Sequence, residues 1–272
     1  MSKINFWQQV ISPSIVWMGL ATGLRLYVVG ISYLASVILW QLFIHKTGLE
    51  KIVINLWKND ISERVSYLKE IFPFQWKIAL SWISGYFIFQ MFNPVLFATD
   101  GAVVAGQMGI TLTALNAIQA FSMSWINTKV PLYSQLIALK DYAQLDSVFI
   151  KMLKQMTTIC LSLLMLFGMM IWILNITQLK IGNNVVAERF LSYLPIFLLS
   201  LTVYLQQYTN AWATYLRCHK QEPFLWYSTV QGILCCSSTL ILGKLYGLYG
   251  IVMGYTAIFV IMFPWGYWIF KS

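Results

Sequence analysis

Seven strongly apolar stretches, joined by short loops, limit what this chain can fold into more than any other feature. They cover residues 23–44, 72–97, 103–126, 157–174, 190–214, 225–242 and 249–270. Each has room to cross a hydrocarbon core of roughly 30 Å, which takes about 20 helical residues at 1.5 Å per residue. An unpaired backbone amide in lipid costs several kcal/mol, so such stretches close their hydrogen bonds internally as helices. The expected fold is all-α: a polytopic membrane helix bundle of about seven transmembrane helices.

Composition leads to the same place without any segment boundary. The chain of 272 residues is 59% hydrophobic and 10% charged, with a mean hydropathy of +0.68. A soluble domain carries about 25% charged residues, so this chain cannot cover a globular surface of its size. Its net charge of +9 is explained by where the charges lie. Let residues 45–71 be cytoplasmic and let each span reverse direction. The cytoplasmic side then receives Lys46, Lys51, Lys58, Arg64, Lys69, Lys77, Lys129, Lys140, Lys151, Lys154, Arg217, Lys220 and Lys271. The far side keeps Lys3, Lys180, Arg189 and Lys244. Basic residues gather on the cytoplasmic side of membrane proteins, so the excess reports topology and a cytoplasmic carboxyl terminus. No nucleic acid partner is expected, because no soluble domain is there to carry a basic face.

This orientation starts Met1 on the far side, yet residues 1–21 hold one Lys and no small-residue cleavage site, unlike a signal peptide. Residues 11–20 are apolar but short, and Ser12, Pro13 and Ser14 interrupt them. They are expected to be the outer end of a helix whose beginning is absent, as an amino-terminal truncation would leave.

Two connectors carry helical amphipathic patterns. Over residues 45–71, Ile52, Val53, Leu56, Trp57, Ile61, Val65, Leu68 and Ile71 recur at helical spacing among charged residues. That pattern predicts a helix lying in the cytoplasmic interface. Residues 139–156 alternate Lys140, Asp141, Asp146, Lys151 and Lys154 with Leu145, Val148, Phe149, Ile150 and Leu153 in the same way. A sharp turn at Thr99–Asp100–Gly101 makes the second and third spans antiparallel, and Pro94 and Pro264 should loosen their helices. Gly247, Gly250 and Gly254 open the last span at a spacing that lets helices approach closely.

No catalytic constellation, metal-ligand cluster or phosphate-cradling glycine loop is visible, so neither enzyme activity nor a cofactor is expected. The four cysteines lack ligand spacing and are expected to be packing residues. Polar side chains inside spans are the better lead, being costly in lipid and usually turned toward the bundle interior or water. Gln206, Gln207, Asn210, Thr214 and Arg217 fall within an arc of roughly 100° on the fifth span. Arg217 is placed to grip an anionic phosphate with paired hydrogen bonds. The third span spreads Gln107, Thr111, Asn116, Gln119, Ser122 and Asn127 around most of its circumference, and Asn93 and Gln231 are expected to join it. Arg25 lies near a span end, from which it can snorkel.

From the second span onward the chain resembles the polysaccharide-transporter branch of the multidrug/oligosaccharidyl-lipid/polysaccharide exporter superfamily, which is MATE-like and includes O-antigen flippases. The resemblance rests on Asn93–Pro94–Val95–Leu96, Ala105–Gly106–Gln107–Met108–Gly109 and Pro131–Leu132–Tyr133–Ser134. Tyr215–Leu216–Arg217 and Gly247–Leu248–Tyr249–Gly250 complete it. It implies two pseudo-symmetric six-helix bundles in the bacterial inner membrane, with a cavity between them. Residues 1–44 would then be the residual end of a first bundle, 45–71 a cytoplasmic bridge, and 72–272 the second bundle. The implied activity is alternating-access export of a lipid-linked oligosaccharide, an O-antigen, lipopolysaccharide or capsular unit, coupled to a proton or sodium ion. The missing half of the first bundle would be a partner, as would the lipid bilayer. Arg25, Asn93, Gln107, Asn116, Gln206, Gln207, Asn210 and Arg217 would line the substrate pathway. Asn93 stands where relatives often carry an acid. A drug or cation exporter of the same superfamily, or a membrane enzyme of glycan assembly, is the alternative; the short outer loops weaken the second.

Overall fold

The computed structural model describes residues 2–24, 27–58, 66–68, 72–181, 184–219 and 222–271. It is all-helical, with 89% of the described residues in helix. The exceptions include a two-residue antiparallel ladder of β1 (Lys180–Ile181) with β2 (Asn184–Val185), and a 3-10 turn at Ala187–Arg189. The chain divides into two units, residues 1–66 and 67–272.

In the first unit, α1 (Ser2–Ala21) and α2 (Tyr27–Thr47) form a hairpin. Gly23 takes a positive φ of 81° at the turn. A Cβ on Gly19 would stand 2.5 Å from Val28, and Trp40 Nε1 donates to Gln8 Oε1 at 3.1 Å. Residues 11–20 form the second half of α1, which runs unbroken through Pro13 to the Gly23 end of the hairpin. Its start lies beside Trp40, at the Lys46 end of the hairpin, rather than at the opposite end. Within α1 the apolar part is Val10–Ala21. A separate helix, α3 (Leu49–Lys58), opens the amphipathic connector; residues 59–65 and 69–71 of that connector lie outside the described residues.

The second unit begins with α4 (Phe72–Phe89) and α5 (Phe92–Thr99). The break between them has a local cause. Pro94 offers no N–H to the carbonyl four residues earlier, that of Gln90, and its ring crowds it; Gln90 and Met91 are the two non-helical residues. After the tight turn at Gly101 (φ 90°) come α6 (Ala102–Asn127), α7 (Val130–Ala138) and α8 (Tyr142–Thr177). Helix α8 fuses the second amphipathic connector with the fourth apolar stretch, and Asp141 caps it by accepting from the Gln144 N–H at 3.1 Å. Helix α9 (Tyr193–Cys218) follows, then α10 (Phe224–Lys271).

Helix α10 is two helices, residues 224–246 and 248–271, folded against each other at Gly247 (φ 56°, ψ −138°). A Cβ on Gly250 would run into the Leu242 carbonyl, and one on Gly254 would meet Ser238. Residues equidistant from Tyr246, next to Gly247, therefore face each other, which only an antiparallel pair allows. Asp100, at the α5–α6 turn, holds the tip by accepting the Leu248 N–H on Oδ2 at 2.6 Å.

Among the described residues, three helices are both long and apolar enough to cross a membrane: Tyr27–Thr47, Tyr142–Thr177 and Phe224–Lys271. Helices α6 and α9 have 26 residues each, but Gln and Asn inside them lower their hydropathy.

The second unit holds two apolar cores. One gathers Phe92, Leu96, Met108, Leu115, Leu199, Ile251, Tyr255 and Phe259. The other gathers Ile126, Tyr133, Leu145, Phe149, Met156, Trp212, Phe224 and Tyr227. In sequence, three helices cross from one to the other through polar residues. On α9, Gln206, Gln207 and Thr209 separate Val203 from Ala211; on α6, Gln119 and Ser122 separate Leu115 from Met123. On the first arm of α10, Gln231 separates Tyr227 from Cys235. A buried polar belt thus crosses the unit at the level of Gln206, the midpoint of α9.

Candidate functional site

The belt opens into a cavity of about 140 Å³. Four helices build its walls. Helix α9 supplies Gln206, Thr209, Asn210, Ala213 and Arg217, which recur at helical spacing on one face. The first arm of α10 supplies Phe224, Tyr227, Ser228 and Gln231, the second arm Phe259, and α4 Gly85. A Cβ on Gly85 would meet nothing within 4 Å, so the glycine leaves this wall open.

Three residues that line this space carry buried polar atoms without partners. Gln206 Oε1, Gln231 Nε2 and Tyr227 Oη have no hydrogen-bond partner among the described residues. Their residues are 8%, 4% and 3% exposed. Buried polar groups are nearly always satisfied, so three unpaired ones on residues that line one cavity single this belt out.

Arg217 closes one end. Its Nε and Nη2 donate to the two carboxylate oxygens of Glu222, both at 2.7 Å. The Glu222 side chain is 1% exposed and that of Arg217 36%. A two-pronged pair of this kind is strong and geometrically selective. In this conformation an internal carboxylate fills the fork expected to grip a phosphate. Beyond the pair lies a second, larger space of about 670 Å³, lined by Ser134, Ile137, Thr214, Cys218 and His219 among others. Nearby on α7, burial and the neighbouring Cys218 push the Tyr133 phenol up to about 12, so it stays neutral.

The residues selected from sequence separate into distinct groups. Gln206, Asn210 and Arg217 meet in the cavity. Gln207 turns the other way and donates from Nε2 to the Gln119 carbonyl of α6 at 3.0 Å; Thr214 faces the second space. The 100° arc on α9 thus spans two environments, because its edges point at different neighbours. Gln107 donates to the Glu188 carbonyl at 2.7 Å and pins the loop before α9. Asn93 and Asn116 are exposed, Asn93 lying against Gly109. Asn116 shares its exposed face of α6 with Gly106, Thr113, Ala117 and Ala120. Gln231 joins α9 rather than α6. Arg25 lies outside the described residues. Tyr227 and Glu222 were not singled out from sequence. Tyr227 sits one turn before Gln231, a spacing that was there to be read; Glu222 was hidden in a loop, where an acid is unremarkable.

Among the described residues, no group of His, Cys, Asp or Glu is arranged to hold a metal ion. No protein-family model, curated protein or solved structure matches this chain.

Proposed function

We propose that this chain is the carboxyl-terminal portion of a polysaccharide-transporter-type exporter, and that it moves a lipid-linked oligosaccharide across the bacterial inner membrane. The observation that carries the reading is the polar cavity at the midpoint of α9, inside a unit whose helices are otherwise apolar. An unsatisfied polar cavity destabilises a membrane bundle unless it serves a polar solute. The sequence resemblance supplies the solute class.

On this reading α2, the α4–α5 pair, α6, α8, α9 and the two arms of α10 make seven crossings, with the Arg217 end of the cavity toward the cytoplasm. The exposed face of α6 with Asn93 and Asn116 would line the main passage. Rocking of one bundle against the other would carry the glycan through while its lipid tail stays in the bilayer. Gln206, Asn210 and Gln231 would contact the glycan. The free polar groups of the cavity are neutral, and its carboxylate, Glu222, is already paired; a drug or cation exporter would instead need an unpaired acid. Coupling to a proton or sodium ion would have to involve residues elsewhere.

The test is binding by the purified chain in nanodiscs, titrated with a fluorescent polyprenyl-diphosphate oligosaccharide and separately with tetraphenylphosphonium. Saturable binding of the glycolipid alone is expected. Binding of the cation alone, or of neither, overturns the reading.

A further inference from the structure

Between α8 and α9 lies a groove of about 630 Å³ whose lining, unlike the polar belt, is open to contact. It runs from Leu161 and Tyr204 at one end to Ile171 and Tyr193 at the other, with Gly168 and Phe197 between them. Leu161 is 44% exposed, Tyr193 55% and Phe197 65%. A Cβ on Gly168 would meet nothing within 4 Å, so this glycine deepens the groove. Helix α8 is among those long and apolar enough to cross a membrane, and the medium outside such a helix is hydrocarbon.

Size and direction narrow the occupant. From Leu161 to Ile171 the helix rises about 15 Å at 1.5 Å per residue, half of a hydrocarbon core of roughly 30 Å. That is the depth of one leaflet. The inner end stops at Tyr204, just short of the belt at Gln206, where Tyr204 Oη shares a hydrogen bond with Tyr208 Oη at 3.2 Å. Volume over length gives a cross-section of about 40 Å², against about 80 Å² for a helix about 10 Å across. One flexible hydrocarbon chain fits inside it; a helix only lies over it.

The other end opens toward the α8–α9 loop, which carries two cations, Lys180 and Arg189, and one acid, Glu188. The ladder sets Lys180 opposite Val185. The Val186 N–H donates to the Leu179 carbonyl at 2.9 Å, and the Arg189 N–H to the Val186 carbonyl at 3.1 Å. Both cations therefore belong to one compact turn. Each is exposed, and neither has an ion-pair partner among the described residues. The charge pattern leaves few basic residues on the far side, so two in one turn stand out. Their long stems let the charges reach down to headgroup level. We propose that the groove binds an anionic phospholipid of the far-side leaflet, with one acyl chain between α8 and α9 and the phosphate against Lys180 and Arg189. The site is independent of the glycan-export reading.

The experiment titrates the purified full chain in mild detergent with phosphatidylglycerol and, separately, with phosphatidylcholine of the same acyl chains. Bound lipid is read by native mass spectrometry. The chain should retain one phosphatidylglycerol at concentrations where phosphatidylcholine is lost. Gly168→Leu, which fills the groove, and the double variant Lys180→Gln with Arg189→Gln should each weaken that binding roughly tenfold. Lys244→Gln, which removes a cation from another far-side loop, should leave it unchanged. Retention of neither lipid, or of both alike, overturns the site, the second outcome being an ordinary lipid shell. Parental binding in either groove or loop variant also overturns it, because the site needs tail and phosphate together, as does an equal loss in Lys244→Gln. A mass of two chains without lipid shows a second copy covering the groove and overturns it too. If Gly168→Leu does not purify as a folded particle, Ser200→Leu closes the same groove from α9.

Discussion

Gln206 and Gln207 are adjacent, chemically identical and both buried, yet the structure gives them opposite roles. Gln207 ties α9 to α6 through the Gln119 carbonyl. Both leave the amide oxygen unpartnered among the described residues, so the Nε2 bond of Gln207 is what sets the two apart. Removing a satisfied interhelical bond costs about 1 kcal/mol, whereas removing an unsatisfied polar atom is neutral or stabilising. Gln207→Leu should therefore lower the thermal unfolding midpoint in detergent, and Gln206→Leu should leave it unchanged or raise it. Equal losses for the two variants would show that Gln206 has a structural partner and that the cavity assignment is mistaken. Helical periodicity placed these residues within one arc, because 100° per residue resolves direction but not what lies at the end of each side chain. The Arg217–Glu222 pair teaches the same lesson. The fork of Arg217 was visible in sequence, while its occupant depended on how the loop after α9 folds back.

At the scale of elements, the hairpin of α10 has the sharpest consequence. Continued as one straight helix, residues 238 and 254 would lie about 24 Å apart at 1.5 Å per residue. In the hairpin, a Cβ at position 254 stands 3.5 Å from the Cβ of Ser238, within the span of a disulfide. In a background lacking the four native cysteines, Ser238→Cys combined with Gly254→Cys should cross-link under mild oxidation. The control Ser238→Cys with Tyr246→Cys should not, because both sit on one arm. Failure of the first pair would unfold the hairpin as described here. The two arms were legible as separate apolar stretches broken by glycines, and the break between α4 and α5 was foreshadowed by Pro94. The continuity of α1 through Pro13 was not legible. Pro13 forfeits one helical bond, and packing against α2 offsets it, a tertiary effect that local pattern cannot contain.

At the scale of the whole molecule, the distribution of Lys and Arg predicts which loops share a side of the membrane. Single cysteines replacing Lys140 and Lys244 should be labelled from opposite faces by a membrane-impermeant maleimide, Lys244→Cys in intact cells and Lys140→Cys only after permeabilisation. Labelling of both from the same face would contradict the topology. Apolar length carried the helical class, because the bilayer imposes the same requirement on every segment whatever its neighbours. The polar belt, the split of the selected residues into cavity, glue and outer face, and the pairing of Arg217 with Glu222 emerged only when the helices met. Each depends on which helix lies opposite a given side chain, and that is set by packing among segments far apart in the chain, such as Gln207 against Gln119 and Asp100 against Leu248.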